Sequence, residues 1–103
     1  MIQTVSRKRI EILVDTPLVP RVVAQLKAVD ISGWSVIHVD SGGGRAGEWQ
    51  DDDVTGASAK TIVLVIASEA KTSGLIEAIA PLLDSYGMLL TIGDVQVVRG
   101  ERF

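Results

Sequence analysis

The run Ile62-Val63-Leu64-Val65-Ile66-Ala67 is apolar at every position. It is far too short to cross a bilayer, which takes about 20 apolar residues in a helix, and its β-branched composition reads as a strand. Successive side chains of a strand point to opposite faces, so such a run needs apolar cover on both sides. The segment Trp34 to Asp40 makes the same demand, with Trp34 and Val36 opposed to Ile37 and Val39. So does Met88 to Val98, where Leu90, Ile92 and Val98 oppose Leu89, Val95 and Val97. A first strand, Ile10 to Asp15, sets Ile10, Ile12 and Val14 on one face. The chain must therefore form a sheet that is buried from two directions.

Two segments supply helices. Thr16-Pro17 breaks the first strand, and Pro17 or Pro20 suits a first helical turn, where no backbone donor is needed. Leu18, Val22, Leu26 and Val29 then recur at spacings near four, with Val19 and Val23 beside them, and Ser32-Gly33 closes the region. Ser68 is the expected N-cap of a second helix, with Glu69 at its positive end. That helix turns Leu75, Ile76, Ile79, Leu82 and Leu83 inward; Gly74 costs it about 1 kcal/mol relative to alanine. Pro81 is expected to kink or shorten it, Tyr86-Gly87 to end it, and Gly93 to mark a bulge in the last strand. The order β-α-β, long loop, β-α-β places the chain in the α+β class. It predicts a ferredoxin-like β-α-β-β-α-β fold, a four-stranded antiparallel sheet with two helices on one face. The second face, left bare, would be adhesive in water. Copies of the same chain are expected to cover it, making an obligate homo-oligomer.

At 103 residues and 47% hydrophobic content, residues 1–103 are expected to form a single domain. A net charge of −3 and strands without exposed aromatics argue against a nucleic-acid partner. No cysteine is present, which excludes disulfides, thiolate metal sites and cysteine nucleophiles and fits a cytoplasmic setting. Met1 to Arg9 lacks the apolar core of a signal peptide, so a soluble, cytoplasmic protein is expected. Arg7, Lys8 and Arg9 read as a solvated lead-in.

The most distinctive polar stretch, Ser41-Gly42-Gly43-Gly44-Arg45, follows the second strand and opens a loop running to about Lys60. Glycines can turn several amides toward one point, and an adjacent arginine adds a forked, charged donor. Two readings stand: an anion-binding nest, or a flexible hairpin with a solvated arginine. Glu48, Asp51, Asp52 and Asp53 lack the spacing of a calcium loop and read as a solvated tip. No metal site is expected. Trp49 beside them is either packing at the loop base or an anchor for a partner. His38, the lone histidine, lacks a catalytic companion and reads as a half-buried sheet residue.

Placed in order, these pieces resemble the PII signalling family over roughly Lys8 to Arg102. Ile31-Ser32-Gly33-Trp34-Ser35-Val36 is similar to the family's Ile-Thr-Gly-Met-Thr-Val segment. Gly42-Gly43-Gly44-Arg45-Ala46-Gly47 is similar to the opening of its T-loop, placed here at about 41–60. Asp94-Val95-Gln96-Val97-Val98-Arg99, followed by Gly100-Glu101-Arg102, is similar to its closing strand and basic C-loop. The resemblance implies a homotrimer with an adenine nucleotide in the cleft between subunits. Carried onto matching positions, Ser35 would hydrogen-bond the adenine edge, and the backbone of Leu64, Val65 and Ile66 would frame the ring. Gly43, Gly44 and Arg45 would cradle phosphate and Gly87 would mark the exit loop of the second helix. Arg99 and Arg102 would reach phosphate from the adjacent subunit.

The chain departs from nitrogen-regulatory PII proteins by lacking a T-loop tyrosine and the cation-binding glutamine, whose place falls near Arg45 or Ala46. It resembles more closely the PII-like proteins associated with carboxysomes or bicarbonate transport. That resemblance implies ADP or AMP as ligand, with ATP as a further one. Bicarbonate would be held by Gly42, Gly43, Gly44, Arg45 and Lys60. It also implies no cofactor and no catalysis, and a bicarbonate transporter or carboxysome-related protein as the partner regulated through T-loop ordering. Two alternatives remain open: a small acyl-phosphate or nucleotide hydrolase on the same fold, and a ligand-free trimeric adaptor.

Overall fold

A computed structural model describes residues 2–44, 47–50 and 59–98, with the backbone alone at Trp49 and Gln50. The strands and helices follow in the order β1 (Thr4–Asp15), a single 3-10 turn (Thr16–Leu18), α1 (Val19–Ala28), β2 (Ser35–Val39), β3 (Ser41–Gly44), β4 (Gly47–Gln50), β5 (Lys60–Ala67), α2 (Glu69–Tyr86) and β6 (Leu89–Val98). The main sheet is four-stranded in the order β2-β5-β1-β6, and every pairing in it is antiparallel. Two β-α-β units interleave, with β5 between β1 and β2 and β1 between β5 and β6. This is the ferredoxin-like arrangement that the element order implies. β3 and β4 form a separate hairpin ladder.

Both helices lie on one face. Ile10, Ile12 and Val14 of β1, and Val63, Val65 and Ala67 of β5, meet Val22 and Leu26 of α1 and Leu75 and Ile79 of α2 in one buried cluster. Trp34 packs at its margin, with the Lys27 ammonium 5.9 Å from the centre of its ring. The cross-strand register assigns Ile37, Val39, Ile62, Leu64, Ile66, Leu13, Leu89, Val95 and Val97 to the opposite face. No described helix covers that face.

Four expectations need correction. β1 begins at Thr4 rather than Ile10, because its polar first half pairs with the far half of β6, Thr4 against Val98 through Arg9 against Gly93. Arg7, Lys8 and Arg9 are thus strand residues, not a lead-in. The same one-to-one register runs through Gly93 without a bulge. α2 continues past Pro81 to Tyr86. Glu77, whose carbonyl loses its donor to the proline, and Pro81 itself are both exposed residues, while Leu82 and Leu83 pack on the core. His38 is exposed rather than half-buried, since it stands on an edge strand.

The helix ends agree with their sequence signals. The Ser68 hydroxyl accepts the Lys71 N–H at 3.2 Å, and Gly87 closes α2 in the left-handed region at φ 63°. There it donates its N–H to the Leu83 carbonyl at 3.2 Å.

Candidate functional site

The β2-β5-β1 register gathers several of the expected site residues at one end of the sheet. β2 leads through Val39 into the β3-β4 hairpin, and Val39 pairs with Lys60, which in turn pairs with Asp15 at the end of β1. The exit of α2 comes back to the same corner, because Leu89 pairs with Leu13. Lys60, Asp15, Tyr86, Gly87, Met88 and Leu89 therefore line one small pocket of ≈ 60 Å³. Lys60 Nζ donates to Asp15 Oδ1. Thr16 N–H donates to the Ala59 carbonyl at 3.0 Å, and the Thr16 and Thr61 hydroxyls lie 2.8 Å apart. Ala59 is buried, so the returning end of the loop is fixed to the β1–α1 junction.

Ser35 is exposed on β2 and is the register partner of Leu64. Both side chains project to the uncovered face. The β2 ladder stops at this pair, whereas β1 continues alongside β5 to Ala67. From Val65 onward the β2-side edge of β5 thus has no strand pairing. Its backbone donors and acceptors on that side adjoin Ser35, as a backbone-framed ring site requires. The Val65 side chain points into the core at 1% exposure, so only its backbone can serve.

Gly42, Gly43 and Gly44 form strand β3, facing Trp49, Glu48 and Gly47 respectively. Consecutive amides of an extended strand point to opposite sides, so the triplet is a ladder here and not a convergent cup. Cross-hairpin pairing accounts for the difference. Nothing around Gly43 requires a glycine: a Cβ there would meet Glu48 Cγ at an ordinary 3.8 Å, and its φ is not positive. Arg45 lies outside the described residues, as do Arg99 and Arg102, the rest of the acidic tip at Asp51 to Asp53, and the Trp49 side chain.

Two features carry no clear sequence signal. Asp15 reads as a strand end, and only the β1-β5 register discloses that it faces Lys60. Tyr86 stacks under Arg21, whose guanidinium carbon is 5.2 Å from the ring centre, with Arg21 donating to the phenol oxygen. At the other end of the sheet a wider polar groove of ≈ 370 Å³ is lined by Ser6, Arg7, Lys8, Glu69, Asp94 and Gln96. Hydrogen bonding to Asp94, then its charge, raises the Lys8 pKa above the usual lysine value. This pair is exposed, with 83% of the Asp94 side chain accessible, and contributes little to stability. Among the described residues no acidic or histidine cluster could hold a metal ion, and no helix is long and apolar enough to cross a membrane.

A family model for nitrogen regulatory protein P-II matches residues 7–102. No curated protein sequence matches the chain significantly. Among solved structures, the chain is similar to CPII, a nitrogen regulatory PII-like protein from Thiomonas intermedia K12 bound to ADP, AMP and bicarbonate. The TM-score is 0.90 at 19% identity, covering 100% of this chain and 98% of that one. The apo form of CPII gives a TM-score of 0.77 at 18% identity, covering 96% and 99%. The ATP complex of GlnK from B. subtilis gives 0.63 at 10% identity, covering 87% and 82%.

Proposed function

The chain belongs to the nitrogen regulatory protein P-II family, and on that premise we propose that it is a trimeric PII-like regulator that binds ADP or AMP between its subunits. The observation that carries this reading is the placement of the two halves of the site. The hairpin base, Lys60 and Gly87 stand at one end of β1, with Ser35 level with Glu11 across Leu64. The strand leading to Arg99 and Arg102 leaves from the other, since Val98 pairs with Thr4. β1 is 12 residues long, roughly 36 Å at ~3.3 Å per residue. The closing basic residues follow Val98 directly, so they meet a hairpin-end nucleotide most simply across a subunit boundary. The uncovered apolar face, bearing Ile37, Leu64 and Leu89, is where such a boundary forms.

In this arrangement Ser35 and the unpaired β5 edge near Val65 and Ile66 hold the adenine. Gly43, Gly44 and Arg45 meet the phosphates from one protomer, with Arg99 and Arg102 from the next. The glycine at position 43, which nothing in the hairpin itself requires, fits a strand approached closely by a ligand. Bicarbonate is the second ligand, taken by Arg45 and Lys60; CPII, similar in fold, is bound to ADP, AMP and bicarbonate. Ligand binding selects one arrangement of the loop, and the partner, a bicarbonate transporter or carboxysome-related protein in the cytoplasm, responds to that arrangement. The protein acts as a sensor and not as a catalyst.

Calorimetric titration with AMP, ADP and ATP, each with and without bicarbonate, tests the reading. Binding of ADP or AMP, lowered at least tenfold in Arg45→Ala, is expected. Turnover of an acyl phosphate at an ordinary enzymatic rate would favour a hydrolase. A trimer that binds no nucleotide would favour an adaptor.

A further inference from the structure

The ion pair between Lys60 and Asp15 lies at the point where the proposed second ligand must act. The two residues are direct cross-strand partners, and their side chains keep 28% and 39% of their accessibility. The surrounding backbone is held by other means, the Thr16–Ala59 and Thr16–Thr61 hydrogen bonds. Asp15 precedes the 3-10 turn without making a side-chain cap hydrogen bond. Its carboxylate is therefore not needed to close that turn. What it does is place a negative charge against the lysine, in a pocket of ≈ 60 Å³.

We propose that Asp15 determines anion selectivity at this corner, its carboxylate acting as a tethered competitor for Lys60. The proposal rests on the reading of Lys60 as an anion ligand given above. An ammonium is a compact charge with three donors on a flexible stem, free to turn from one acceptor to another. Partly exposed pairs of this kind are weak, so a small oxoanion of bicarbonate size displaces Asp15 and fits the space it shares with Gly87. A dicarboxylate brings a second negative charge against the retained charge of Asp15 and is repelled more strongly. Asp15 is thus a specificity-determining residue: it lowers affinity for every anion and selects for the least charged.

The test is titration of the ADP-loaded full chain with bicarbonate and, separately, with succinate, in the wild type and in Asp15→Asn, Asp15→Glu, Lys60→Met and the Asp15→Asn/Lys60→Met double variant. Asp15→Asn is expected to bind bicarbonate roughly fivefold tighter and to gain succinate binding absent from the wild type. Asp15→Glu, which keeps the competitor, gains neither, and the double variant loses both gains. The ratio of bicarbonate to ADP affinity is the readout that a merely structural role would not move. Asp15→Asn with unchanged or weaker anion binding, while Lys60→Met weakens it, overturns the role of Asp15 and leaves the Lys60 reading intact. Lys60→Met indistinguishable from the wild type overturns both.

Discussion

β5 sends Val63 and Val65 to the helix-covered face of the sheet, where their exposures are 0% and 1%. Ile62, Leu64 and Ile66 of the same strand go to the other face, where they stay half-buried. Toward the edges of that second face Ile37 and Leu89 are 43% and 57% exposed. On β5 the two faces are alike in chemistry and differ in what lies over them, whereas β1 sets the Arg9–Glu11 ion pair on the open face. Both connections carrying a helix pass on the same side of the sheet, so one apolar surface is consumed within the chain while an equivalent one is left for another molecule. Burial in the isolated chain follows the path of the connections, not the apolarity of the strand. The Ser35–Leu64 pair lies on the side that folding leaves uncovered.

Matched substitutions on the two faces would separate these roles. The largest effect is expected from Ile12→Asp, which puts an unpaired charge at a position with 0% exposure. Its cost of several kcal/mol approaches the whole stability of a small domain, so circular dichroism should show an unfolded chain. Leu64→Asp, two residues from Ile62 on the open face, should leave the circular dichroism signal intact. It should release single chains in sedimentation and reduce ADP affinity by at least tenfold. Equal unfolding by both substitutions would mean that the open face is needed for folding itself.

Smaller changes sharpen the contrast at particular places. Gly87→Ala forces a Cβ into a φ of 63° and should cost about 1–2 kcal/mol in urea denaturation. Because Gly87 lines the Lys60 pocket, bicarbonate affinity should fall with it. Ser68→Ala removes the cap on Lys71 N–H and should cost about 1 kcal/mol without altering ligand affinity. Gly74→Ala on the covered side should do the reverse. Its new Cβ would meet Val29 Cγ1 at an ordinary 3.9 Å, so a gain of about 0.5–1 kcal/mol is expected.

The order of the four sheet strands and two helices, the Ser68 cap, the Gly87 exit and the two-faced apolar strands were legible in the sequence, because each has a local signature in residue type or period; the β3-β4 ladder within the expected loop was not. What escaped depended on partners distant in the chain. Thr4 to Lys8 show no apolar alternation, yet they form a strand because β6 is long enough to pair with them. Pro81 reads locally as a helix breaker, but its solvent-facing position and the packed Leu82 and Leu83 carry α2 onward. The glycine triplet suits either a cup or a strand, and the facing segment Gly47–Gln50 decides for the strand. Of the proposed site, Ser35, Lys60, Leu64 and Gly87 are expected from a resemblance in order and spacing, and the register shows where the first three stand. Asp15 is not, since its significance comes from a cross-strand register that no local pattern encodes.

The central claim is that copies of this chain cover the open face and thereby complete the nucleotide site. Sedimentation equilibrium of the purified protein, with and without ADP, tests it most directly. A particle of about 33 kDa, three times the 11.0 kDa of one chain, is the expected result. A folded single chain of 11.0 kDa at micromolar concentration, unchanged by ADP, would contradict it.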